Sequence, residues 1–287
     1  MSIPRSVFGV FITLLSLSAA LYASQASCTF DTFTVPSQYT LSTVQGIGDD
    51  GTVVGQLVDN DTQALLGFMR SSGGDITVYS APQSVTTWLY GENATGTSVG
   101  YYMDNASKVH GFTLVNGGFT EIDYKGAANT WLFGVNHAGS LVGSFGGSGS
   151  VKGFLLADGQ YTSIVDPGQQ VTYPMAVNDN DAVVGSGASG WVNYGFLWQN
   201  GKFTSINYPK SKYGTILLGI NNSSVIVGNR ISADKSFGFI YENGAFKSVT
   251  YAGADYTVTG GINNNGVISG QIYMSGTQTM GYTAVCK

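Results

Sequence analysis

Charge is scarce in this chain: 10% of its 287 residues are Asp, Glu, Lys or Arg, and 12 cations face 17 anions. With a sequence pI near 4.8, there is no basic surface to neutralise phosphates, which excludes nucleic acid and anionic lipid as partners. Histidine occurs only as His110 and His137. The two stand at different points of the repeating pattern described below, so neither a nucleophile triad nor a histidine-rich metal site can be built on them. No metal or cofactor is expected. Proline is rare, at 6 residues, and the cysteines are Cys28 and Cys286 alone. One apolar run stands out, residues 7–21. It falls short of the roughly 20 residues of a membrane-spanning helix, and no other segment is a candidate span.

That run reads as the centre of an export signal. Arg5 precedes it, and small residues follow it to Ser24, Gln25 and Ala26, the order of a secretory leader cleaved after Ala26. The expected product is one domain, residues 27–287, secreted or held in the periplasm or at the cell surface, where two cysteines can pair. Lipid attachment to Cys28 is the alternative. Gln25 fits it poorly, because such signals carry an apolar residue three places before the cysteine.

Glycine is abundant, at 41 residues, and regularly placed. One motif recurs as "GIGDDGTVVG", "GENATGTSVG", "GVNHAGSLVG", "AVNDNDAVVG", "GINNSSVIVG" and "GINNNGVISG", its last glycines 42 to 45 residues apart. After each comes a second motif, from "GFMR" at Gly67 to "GYTA" at Gly281, and after most a third such as "NGKFTSINYP" from Asn200. Each copy reads as four short strands, rich in β-branched and aromatic residues and bounded by Gly and Asn. Asn-Gly between the third and fourth predicts a two-residue hairpin with φ > 0 at both residues. A unit of this size made of four meandering strands is a propeller blade. The expected fold is an all-β, six-bladed β-propeller.

Within the copies, Phe68, Phe112, Phe154, Phe196, Phe239 and Tyr282 each follow a glycine and are expected to fill the core between neighbouring blades. Asn93, Asn136, Asn178, Asn221 and Asn263 recur at one turn position, with Gly48 in the first copy. Asx turns and tolerance of left-handed backbone account for them without a calcium loop. The succession "GINxxGxVVG", "GF", "NG", "FTSINYP" resembles the HAF-type extracellular repeat family of exported bacterial proteins, over essentially all of residues 28–286. The resemblance implies export and a propeller, and no established activity.

Chain ends and repeats fit together. Residues 30–36, "FDTFTVP", align with residues 203–209, "FTSINYP", while the last copy stops after three strands at "GYTAVCK". The N-terminus is therefore expected to supply the fourth strand of the last blade. In this register Cys286 and Cys28 fall at the two turn positions of the missing hairpin, which predicts a disulfide between them.

Strand alternation puts the uniform turns, first-to-second and third-to-fourth, on one face. The other face gathers the second-to-third loops and the blade crossings, which vary from copy to copy. Variation on a rigid scaffold marks the binding face. Tyr102, Asp104, Trp191, Tyr194, Arg230 and Tyr273 are the candidate ligand-binding residues there, with Tyr39, Tyr101, Tyr213, Asp234 and Tyr256 beside them. Rings with nearby polar groups suit a sugar or a protein surface. The expected function is a monomeric recognition or scaffold module for an extracellular glycan or protein. The alternatives are a propeller lyase or glycosidase using loop carboxylates such as Asp59, Asp61 or Asp104, and an envelope structural protein.

Overall fold

A computed structural model describes residues 24–147, 149–233 and 235–287. Of the export-signal reading, residues 1–23 lie outside the described residues, as does Asp234. All regular structure among the described residues is strand. In the first copy, Tyr39–Ile47, Val53–Asp59, Leu65–Arg70 and Ile76–Tyr79 pair in chain order as an antiparallel meander, and the later copies repeat this. Hydrogen bonding gathers the strands into two eight-stranded sheets, one five-stranded and one four-stranded. Each eight-stranded sheet is two meanders joined by one parallel residue pair, Leu65↔Thr86 or Val151↔Val171. First strands of successive copies touch one another, and the last, Tyr256–Ile262, touches the first, Tyr39–Ile47. The meanders therefore stand in a closed circle with their first strands innermost.

Burial explains the repeated aromatics. Phe68, Phe112, Phe154, Phe239 and Tyr282 are fully buried and Phe196 is 1% exposed, each in the apolar layer that one meander presents to the next. The glycine of the "VVG" motif makes room for them. A Cβ at Gly100 would stand 1.8 Å from the Trp88 carbonyl oxygen and 3.0 Å from the Phe112 ring, beside the bulge between Leu89 and Gly91. No larger residue fits there. The Asn-Gly hairpins also form as expected: Asn200 has φ 51° and Gly201 φ 77°.

Two recurring polar residues bind copy to copy. Thr87, Thr130, Thr172, Thr215 and Thr257, all 1% exposed or less, open the innermost strands. Each Oγ1 accepts a backbone N–H of the incoming crossing, from Tyr124 to Thr130 at 2.9 Å and from Tyr208 to Thr215 at 2.8 Å. The turn asparagines form a belt. Asn93 Nδ2 donates to the Asn136 carbonyl at 2.9 Å, Asn136 to Asn178 at 3.1 Å, Asn178 to Asn221 at 3.1 Å, Asn221 to Asn263 at 3.3 Å, and Asn263 to Gly48 at 2.9 Å. The Oδ1 atoms close the expected Asx turns, as where Asn221 accepts from Ser223 and Val225. Left-handed backbone falls elsewhere, at residues such as Asp181 and Ser224. The asparagines are kept for their amides and not for their φ.

Closure follows the sequence register. Cys28–Phe33 pairs antiparallel with Met280–Cys286. Cys28 stands opposite Cys286, with Cα atoms 4.0 Å apart and a disulfide between them. Where other copies turn, this ladder continues: Ser27 and Lys287 exchange backbone hydrogen bonds of 3.1 and 2.9 Å. Before it, Ser24–Gln25 pairs in parallel with Ala245–Ser248, and Ala26 is buried against Val249 and Ile240. Cleavage after Ala26 would remove this short strand.

Candidate functional site: the variable-face mouth

A cavity of about 500 Å³ opens among the first, fifth and sixth copies. Its floor is made by innermost strands through Thr43, Gln45, Leu218 and Val258, and its rim by Ser232 and Lys235 of the loop after Ile226–Ile231 and by Ser236, which opens the next strand. Its wall is Tyr256 and Tyr273, a cross-strand pair at the variable-face end of the sixth copy. Their rings stack at 4.3 Å with planes 16° apart, a direct cross-strand aromatic contact. Lys235 Nζ stands 5.7 Å from the Tyr256 ring. Burial first, then the neighbouring Tyr256 hydroxyl, pushes the Tyr273 phenol up, so it stays a neutral hydroxyl able to donate and accept. The amides beside it are committed to the scaffold: Gln271 accepts from Val44 N at 3.1 Å and donates to the Ser42 carbonyl at 2.9 Å. Asn229 is likewise held by the Thr259 backbone. Thr43 also lines the cavity, but its hydroxyl oxygen is buried with no partner.

The six predicted ligand-binding residues do not converge on one place. Tyr273 lies in this cavity. Arg230, between Asn229 and Ile231 that line the cavity, lays its own guanidinium 4.1 Å from the Phe237 ring and 5.6 Å from the Tyr208 ring. Trp191 is 93% exposed and Tyr194 37%, on a hairpin of the fourth copy tied to the next crossing by Asn193 N donating to the Tyr213 carbonyl at 3.2 Å.

Tyr102 and Asp104 belong to a separate cluster in the second copy, which the sequence did not disclose. His110 Nδ1 lies 2.9 Å from Asp123 and 3.4 Å from Glu121, and its Nε2 lies 3.6 Å from Asp104. The Tyr102 ring stacks on the imidazole at 5.0 Å, and its hydroxyl donates to Glu121 at 2.8 Å. One ligand atom each from His110, Glu121 and Asp123 falls within 4.8 Å of the others, a spacing that could hold a metal ion. The Lys108 ammonium supplies a cation there, 3.0 Å from Asp123, against the three carboxylates of Asp104, Glu121 and Asp123.

Two of the loop carboxylates that catalysis would need, Asp104 and Asp59, are engaged by their own loops. Asp104 Oδ1 accepts the Ala106 and Lys108 N–H groups, both at 2.8 Å. The Lys108 N–H is the largest reason this carboxyl is held below its usual range. Asp59 accepts from Thr62 N and Asp61 N in the same manner, and the Thr62 N–H leads in holding its carboxyl down. Both behave as turn-closing groups.

Facing the cavity across the axis is a run of rings. Trp88 and Tyr101 stack at 5.6 Å, Tyr90 and Tyr101 at 5.4 Å, and Phe133 meets Tyr90 edge-on at 5.0 Å. Burial pushes the Tyr90 and Tyr101 phenols up. Trp88, Tyr90 and Phe133 sit on innermost strands and are partly or fully buried, so one side of the axial channel is aromatic.

A closed circle of four-stranded meanders with an axial channel, and a polar and aromatic mouth on one face, is a β-propeller. Among solved structures, the chain is similar to a mutant of the Aleuria aurantia lectin in complex with Fucα1-6GlcNAc, at 10% identity over 88% of this chain and 96% of that one, with a TM-score of 0.57. It is similar to a catalytically inactive virginiamycin B lyase from Staphylococcus aureus with quinupristin at 13% identity, 90% and 100% coverage and a TM-score of 0.50. TolB from Acinetobacter baumannii matches at 11% identity, 82% and 66% coverage and a TM-score of 0.53. At these identities the likeness is one of fold. No protein-family model and no curated protein matches the sequence.

Proposed function

We propose that this chain is an exported six-bladed β-propeller of the HAF-type extracellular repeat class, a monomeric recognition module that binds glycan through its variable face. The blade count rests on the six sequence copies, each beginning with a strand that touches its two neighbours around the axis. Export rests on the leader-like residues 1–26, and the Cys28–Cys286 disulfide fits an oxidising compartment. No helix among the described residues is long and apolar enough to cross a membrane.

The observation that carries the ligand class is the Tyr256–Tyr273 wall of the variable-face cavity. Stacked phenols beside hydroxyls and a lysine offer what a pyranose ring needs: a flat apolar platform for its C–H face and donors and acceptors at its edge. Support of a weaker kind comes from the fold likeness to a lectin solved with a fucosylated disaccharide.

The test is titration of the exported protein against a glycan panel by array and calorimetry. A saturable glycan ligand is expected, with affinity reduced about tenfold in Tyr273→Ala, the loss of one aromatic platform. Turnover of the glycan would favour the lyase or glycosidase reading. A blank array with a captured envelope protein would favour the structural one.

A further inference from the structure

The joint between the first and second copies departs from the other five in three linked positions. Directly before the turn asparagine, or Gly48 in the first copy, stand Ile47, Val135, Val177, Ile220 and Ile262; the second copy has Glu92. The cross-strand partners of those five are Val53, Leu141, Val183, Ile226 and Ile268, whereas Glu92 stands opposite Ser98. A directly opposed pair shares one face of its sheet, so an apolar pair repeated five times is replaced here by an acid and an alcohol. The third exchange lies across the joint. Gly48 replaces the asparagine whose amide would reach the Asn93 carbonyl.

These exchanges fit together in space. A Cβ at Gly48 would stand 3.5 Å from Glu92 Cγ, so the glutamate lies beside the place where the asparagine side chain would begin. Glu92 Oε2 and Ser98 Oγ are both buried with no hydrogen-bond partner, a costly state for polar atoms. A second belt has no link at this joint or at the next. His137 N donates to Asp179, Asp179 N to Asn222, Asn222 N to Asn264 and Asn264 N to Asp49, at 2.8 to 2.9 Å; the second copy has Ala94 at this position, with no side-chain oxygen to continue it.

We propose that this joint is a proton-operated latch: the protonated Glu92 carboxyl packs in the place of the missing asparagine and holds the first two copies together, and its ionisation loosens them. Neutral, the group brings no charge into a buried place where its Oε2 finds no partner. Ionised, it can only accept, and it adds a second negative charge beside Asp50. Burial first, and the Asp50 carboxylate second, push the Glu92 carboxyl up to about 7.

The titratable groups around it are few. Asp49 and Asp50 lie on the facing turn, and Asp49 is engaged by Asn264. Tyr90 precedes Glu92 on its own strand, its phenol pushed up by burial. His137 lies on the turn of the next copy, with its backbone N–H on Asp179. Because the folded-state value is raised, the stabilisation is complete below the ordinary value of 4.5 and is lost as pH rises through about 7.

Carboxyl NMR and amide exchange on the whole protein, from about pH 4 to about pH 8.5, test the latch. The Glu92 carboxyl should titrate near neutrality. Amide protection at residues 48–52 and 93–97, corrected for intrinsic exchange, should fall about tenfold or more over the same range, while Glu92→Gln flattens that fall. Titration at an ordinary glutamate pH, or the same fall in Glu92→Gln, would overturn the proposal. Should the glutamine variant not fold, the wild-type carboxyl titration and the wild-type fall in amide protection decide together, and a fall that does not track the carboxyl would overturn the proposal.

Discussion

At the scale of single residues, one side chain recurs in each copy for one steric reason. The phenylalanine after each "G" is buried as expected, and the glycine of "VVG" is forced by a neighbouring carbonyl. Gly100→Ala should therefore cost about 2–3 kcal/mol of stability by overpacking, measured by chemical denaturation, since its Cβ would meet the Trp88 oxygen at 1.8 Å. Trp191→Ala, at a position 93% exposed, should change stability by less than about 0.5 kcal/mol, which makes it a clean probe of ligand contact by that hairpin. The asparagines were half legible. Their Asx turns follow from local chemistry, but the amide that crosses to the next copy depends on a neighbour some 43 residues away, and no local pattern announces it. Glu92 was missed because a single acid beside a turn looks like any solvated acid. Only its buried oxygen sets it apart.

At the scale of elements, polar residues at strand ends join meanders whose faces are otherwise apolar. Asn178→Ala removes a donor to Asn221 and the acceptor for Asn180 N and Ala182 N. Leaving buried backbone groups unpaired should cost about 2–3 kcal/mol, read as a shift of the denaturation midpoint. Thr172→Val keeps the shape of the side chain but strips the acceptor from Asp166 N at 3.1 Å. It should cost about 1–2 kcal/mol and raise amide exchange in the crossing at residues 166–171. The hairpins were fully legible, because Asn-Gly determines its own backbone. The crossings were legible only as variable segments. Which of their rings would stack, as Tyr256 does with Tyr273, depended on the pairing of two strands and not on either loop.

At the scale of the whole molecule, the disulfide does the work of a peptide link. Reduction, or Cys286→Ser, frees an outer strand at the chain terminus and releases a loop of 258 residues. By loop entropy this should cost up to about 5 kcal/mol, less whatever order the reduced ends retain. Thermal unfolding with and without reductant measures it, and an unchanged midpoint would show that packing alone closes the circle. The sequence by itself determined the all-β class, the repeat, its register and the cysteine pairing, because each copy must satisfy the same pleat, turn and core constraints, and repetition makes those constraints visible. Tertiary structure alone decided which variable residues share a cavity, which carboxylates are tied into their own loops, and where the belt of amides breaks. Those outcomes depend on contacts between copies far apart in the chain, and one copy's sequence carries no record of the residue that will face it across the joint.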